Sequence, residues 1–252
     1  MSHLRQVVLV SLILGAVQSI SAQQVANPQA VLSGVVALLG ATNVQSTTLS
    51  GSAEFIAGAT DDTGSFTATC SLAGSSQLQL QLGSSSRTES RQTVNGVTGG
   101  AWTDNLGQQH SMATQNLFAT ASWFCPHLAL SSFLQNTGIS IQFVGDETRN
   151  GVPVVHFTVS TPPVDSSAQS LFLSRLSTTE IYLDAVSQRP VAIAFNAHSD
   201  SDAKIDIPIE IRFSNYTNSN GVWIPYTIQR YVNSNLSLTM QVNSASPSSA
   251  LQ

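Results

Sequence analysis

The segment Lys204–Phe213, KIDIPIEIRF, places an apolar residue at every second position. Ile205, Ile207, Ile209, Ile211 and Phe213 face one way, and Asp206, Pro208, Glu210 and Arg212 face the other. A period of two is the repeat of a β-strand, whose successive side chains point to opposite faces. One apolar face and one polar face mark an antiparallel sheet, covered on one side and wet on the other.

The pattern continues in both directions. The stretch FSNYTNSNGVWIPYTIQ, residues 213–229, turns at Asn220-Gly221, and Val222, Ile224, Tyr226 and Ile228 carry an apolar face back. Trp223 and Pro225 fall on the opposite face. Leu236, Leu238, Met240 and Val242 close the series. Upstream, Leu49, Gly51, Ala53 and Phe55 alternate with polar residues, as do Phe66–Leu72 and Gln77–Leu82. Asn-Gly-Val occurs at Asn95, Asn150 and Asn220, and Asn-Gly suits a two-residue hairpin because both residues accept positive φ. Asp184–Arg189 reads as a longer hairpin. Pro208 and Pro225 lack an N–H and are expected at edge or bulge positions.

Helical signals punctuate the strands. Asn27 as cap, Pro28 at the first position and Gly40 as stop bracket a helix with Val31, Leu32, Val35, Leu38 and Leu39 on its apolar face. Ser111–Asn136 reads mostly as helix, broken near Pro126. Ala168–Leu176 reads as a short helix. The expected fold is therefore mainly β with helices (α+β). Some nine to eleven strands form a continuous, curved antiparallel meander, an unclosed β-barrel covered by the N-terminal helix and the mid-chain helical insertion.

The first residues bear on compartment. Arg5, the apolar run Val7–Val17 and the exit Ser19-Ile20-Ser21-Ala22 describe a secretory signal peptide cleaved near Ala22, with an uncleaved anchor as the alternative. The run is shorter than the roughly 20 residues of a spanning helix. The expected organisation is signal peptide 1–22, one open-barrel domain 23–244 and a polar tail 245–252. The expected location is periplasmic or secreted, and the chain is not expected to be an integral membrane protein. The net charge of −5, with no Lys/Arg cluster, disfavours nucleic acid. Two cysteines in an exported chain suggest one disulfide, Cys70–Cys125, with buried free thiols as the alternative.

No catalytic or metal set emerges from the motifs. Asp62-Thr63-Gly64-Ser65 copies an aspartic-protease string, but it occurs once, and its residues equally suit a hairpin turn. His198-Ser199-Asp200 lies in a polar loop, and there is no G-x-S-x-G elbow. His110, His127, His156 and His198 are scattered, and Asp200, Asp202 and Asp206 lack a glycine-centred calcium loop. No cofactor or metal is expected.

From Ile181 to Val242 the sequence resembles the C-terminal part of exported bacterial proteins with the lipoprotein-carrier (LolA/LolB-like) fold. Tyr182 and Asp184 match a strand ending in Tyr-x-Asp, and Phe213, Ser214 and Tyr216 match one ending in Phe-Ser-x-Tyr. Gly221, Val222 and Pro225 match the opening of the next strand. The resemblance implies an unclosed barrel whose apolar inner face is covered by helices, a space that holds acyl chains in the best-known relatives. Their basic residue inside the barrel has no matched position, and the first strand carries Glu54 instead. The expected function is non-catalytic binding of an apolar or acyl-chain ligand. Phe118, Trp123, Phe124, Leu128, Phe133, Ile209, Ile211 and Phe213 are the candidate lining. A protein-interaction module of the cell envelope is the alternative, and a hydrolase the second.

Overall fold

The computed structural model describes residues 27–95 and 97–250; the expected signal peptide lies outside them. In chain order the strands are β1 (Ser46–Ala57), β2 (Thr60–Ser71), β3 (Ser76–Leu82), β4 (Ser86–Val94), β5 (Val97–Thr103) and β6 (Gln109–Ser111). After an insertion follow β7 (Ser140–Arg149), β8 (Val152–Ser160), β9 (Thr179–Asp184), β10 (Pro190–Ser199), β11 (Asp202–Ser219), β12 (Val222–Val232) and β13 (Asn235–Ser248). They form one antiparallel sheet in the order β6-β5-β4-β3-β2-β1-β13-β12-β11-β10-β9-β8-β7. The sheet is an unclosed, curved half-barrel with β6 and β7 at its edges.

The strands exceed the expected number because β4, β5 and β6 carry charged, glycine-rich or very short patterns. The meander is also not continuous. The first and last strands pair in its middle, Leu49 opposite Ala245 and Ala53 opposite Met240, so neither is left with an open ladder. Ala245–Ser248, expected as tail, belong to β13 because β1 supplies their backbone partners.

The hairpin turns take their residues' preferred geometry. Asn150 and Asn220 both have φ 52, followed by Gly151 at φ 80 and Gly221 at φ 86. Neither proline sits on an edge strand. The β11–β12 ladder begins at Ile209, and Asn233 donates to the Pro208 carbonyl just beyond it, so the missing N–H of Pro208 interrupts no pairing. Pro225 likewise lies just outside the β12–β13 ladder, which begins at Thr227. Ile209, Ile211 and Phe213 reach the core, whereas Ile205, near the start of β11, is exposed.

Helix α1 (Pro28–Leu38) starts at Asn27, whose side chain accepts from Ala30 N at 3.1 Å. It ends with Gly40 N bonded to Ala37 O and Ala41 N to Val36 O, the reciprocal pair of a Schellman cap. Leu32, Val35, Val36 and Leu39 are buried in the main core, while Leu38 is exposed. The cap rests on the β11–β12 turn, where Trp223 N donates to Leu39 O at 2.8 Å. At Gly40, φ is 71 and an added Cβ would stand 2.1 Å from Gly221 O. Gly40→Ala is therefore expected to destabilise the protein by at least about 2 kcal/mol, read as a lower urea midpoint. An unchanged midpoint would show that the cap docks loosely.

The insertion is less helical than expected. A short 3₁₀ turn at Thr114–Leu117 and further turns precede helix α2 (Pro126–Gln135), which Pro126 begins instead of breaking. Proline needs no N–H at the first helical position and clashes with any preceding turn. Helix α3 (Ala168–Leu176) buries only Ser170 and Leu176 and is tied to β11 by an Arg175–Asp206 ion pair. Helices α1 and α2 lie together over the concave face. Cys70 on β2 and Cys125 at the cap of α2 are joined by a disulfide. Beside it, His127 Nε2 lies 2.8 Å from the Thr47 hydroxyl on β1, both groups fully buried.

Candidate functional site

Strand β4, SRTESRQTV, alternates as the others do, but its inward positions are charged. Pairing with β3 sets Arg87 opposite Leu80, Glu89 opposite Leu78 and Arg91 opposite Ser76. Leu78 and Leu80 are buried, so register alone turns these three side chains onto the concave face. From the far side of the barrel Arg230 joins them, in phase with the buried Ile224 and Ile228 of β12.

Glu89 is the centre of the cluster. Its Oε1 accepts from the Trp123 indole N–H at 3.3 Å and lies 3.8 Å from Arg91 Nη2, while its Oε2 lies 3.8 Å from Arg230 Nη1. Charge-assisted hydrogen bonds run about 2.7–2.9 Å, so both ion pairs are loose. Arg91, only 5% exposed, donates from Nη1 to the Ala119 carbonyl at 2.7 Å. Arg230 donates from Nε to Ser237 at 3.2 Å, and Arg87 stacks 4.4 Å above the Phe55 ring. Burial pushes the Arg91 and Arg230 guanidiniums below their ordinary value. Glu89 opposes this at both, and Arg87 adds to it at Arg230.

The Ala119 contact moors the segment before α2 to β4. On the opposite side, Gln115 donates to Ser199 O at 2.8 Å, and Asn116 exchanges two hydrogen bonds with the His198 backbone. The segment thus bridges β4 and the end of β10. Beneath it lies a cavity of about 200 Å³ with Trp102, Trp123, Phe195 and Ile209 as apolar walls and Glu89, Arg91 and Arg230 as polar ones. A second cavity, of about 230 Å³, shares Glu89, Trp102 and Arg230 and is walled by Phe55, Leu78, Leu80 and Arg87.

Of the residues singled out from sequence, Trp123 and Ile209 line the first cavity. Phe124, Leu128, Ile211 and Phe213 lie in the main core, 1%, 0%, 0% and 4% exposed, and fill space with their own side chains. Phe133 borders a separate cleft beside Asn27 and Ile141, and Phe118 is exposed. Sequence reasoning passed over Arg87, Glu89, Arg91 and Arg230. Their signal was present: a charged period-two strand between apolar ones, and an apolar strand face that ends on a cation.

The motifs with catalytic overtones have structural partners. Asp62 lies on β2, and hydrogen bonds from the Ser84 hydroxyl and amide hold its carboxyl below the usual range. His198 is buried with Nδ1 3.2 Å from Asp206, without hydrogen-bond alignment, and Ser199 Oγ lies 3.0 Å from Ser201 Oγ. On the polar side of the hairpin quoted above, Trp223 is covered by the Arg189 guanidinium at 4.0 Å. No helix among the described residues is long and apolar enough to cross a membrane.

This architecture, an open antiparallel half-barrel with helices on its concave face, is the LolA-like fold. A LolA superfamily protein from Nitrosomonas europaea superposes with a TM-score of 0.50 at 12% identity, over 86% of this chain and 92% of that one. A DUF1329 family protein from Desulfovibrio piger gives 0.52 at 8% identity, over 90% and 95%. No protein-family model and no curated protein matches the sequence.

Proposed function

We propose that the protein is an exported, non-catalytic carrier that holds an apolar or acyl chain between the half-barrel and its cover. The carrying observation is the pair of cavities that share Glu89, Trp102 and Arg230 beneath a segment moored to both halves of the sheet. Trp123 and Ile209 would touch the chain. The half-barrel through the end of β13 at Ser248 is the carrier unit in this reading, with residues 1–22 as its export signal.

Each methylene moved from water into such a space contributes about 0.8 kcal/mol, close to fourfold in affinity. After denaturing delipidation and refolding, saturated fatty acids are therefore expected to bind about fourfold tighter per added carbon until the cavity is full. Quenching of Trp102 and Trp123, which line the space, is the readout. Affinity independent of chain length, or no uptake at all, would overturn the reading.

A further inference from the structure

We infer that the Arg87–Glu89–Arg91–Arg230 cluster is the headgroup site of an anionic single-chain amphiphile, the terminal anion lying on the guanidiniums and the chain along the apolar walls. The inference rests on the carrier reading above and names its ligand class.

Three guanidiniums face the paired cavities, and one carboxylate stands among them; Asp200, which also lines the first cavity, is an exposed residue. Glu89 is divided between two arginines at 3.8 Å and the Trp123 N–H, so it saturates none of the guanidiniums. Arg91 is 5% exposed, yet its Nε is buried without a hydrogen-bond partner, as is the Nε of Arg87. A buried donor left unsatisfied is destabilising, and arginine cannot escape by losing its proton. An anion supplies both the missing acceptors and the missing charge. Planar guanidinium forks suit carboxylate and phosphate oxygens alike. A neutral hydroxyl or ester satisfies the donors only in part and leaves the charge uncompensated. Burial acts against the Arg91 and Arg230 cations and Arg87 repels Arg230, and a bound anion relieves both.

The test compares ligands with one twelve-carbon chain: dodecanoate, dodecyl phosphate and dodecanol, titrated at pH 8 into delipidated protein. Both anions are expected to bind at least about tenfold tighter than the alcohol. The preference between the two anions then distinguishes a carboxylate from a phosphate headgroup. In the double variant Arg87→Gln/Arg230→Gln the ratio of anion to alcohol affinity is expected to fall below about threefold. Arg91 is left intact because it also moors Ala119. Arg230→Lys, which keeps the charge, should retain part of the preference and controls for misfolding. Equal binding of all three ligands would overturn the headgroup site and leave the carrier standing. Binding of none would overturn both, and a preference that survives the double variant would place the anion elsewhere.

Discussion

Replacing Cys70 and Cys125 together by alanine is expected to lower the unfolding free energy by about 4 kcal/mol, the loop-closure value for a separation of 55 residues. The bridge joins β2 to the start of α2, and both cysteines are buried in the main core. Its loss frees the insertion from the sheet in the unfolded chain, which gains the conformational freedom that the cross-link had removed. Within the folded protein, α2 keeps its hydrogen bond to Thr47 and its apolar contacts. Its amides should nevertheless exchange earlier than those of the central strands. Urea unfolding of the double variant, and of the wild type under reductant, measures the effect. A loss below about 1 kcal/mol in both would show that the bridge constrains little beyond what packing already fixes.

The second large effect is a pH dependence set by His127. Burial pushes its imidazole from an ordinary value of 6.5 down to about 4. Between those values the unfolded chain binds the proton and the folded protein refuses it, so stability must rise with pH there. The contribution is complete above 6.5 and is lost as pH falls through the window towards 4. Its full size is about 3 kcal/mol. His127→Gln removes the titration while offering Thr47 another polar partner. Wild-type stability should accordingly fall more steeply than that of the variant between pH 6.5 and pH 4. Parallel curves would mean that His127 is protonated in the folded state or reached by water. Carboxylates and the other histidines act in both proteins, so the difference between curves isolates this residue.

How far the molecule was legible follows from which signals are local. Strand alternation in residues 207–213, the caps at Asn27 and Gly40, and the Asn-Gly turns at Asn150 and Asn220 are decided within a few residues, and the structure places each as its local chemistry requires. Pro126 was legible in kind but not in role. A proline breaks or begins a helix according to what precedes it, and Thr114–Phe124 makes 3₁₀ and other turns. The apolar residues of the insertion could not be sorted into core and cavity from periodicity. Trp123 and Phe124 are adjacent and both buried, yet only Trp123 borders the empty space.

By itself the sequence determined an α+β half-barrel with one apolar face, because side-chain alternation is a property of each strand alone. It also determined where the chain turns, because positive φ and missing N–H groups are properties of single residues. Tertiary structure decided the rest. Only the β3–β4 register turns Arg87, Glu89 and Arg91 inward, since a shift of one residue would put them in water. Only the pairing of β1 with β13 joins the two halves of the sheet. Arg230 meets Glu89 across that join, at a distance no local pattern encodes, because the two residues approach only when the whole sheet curves.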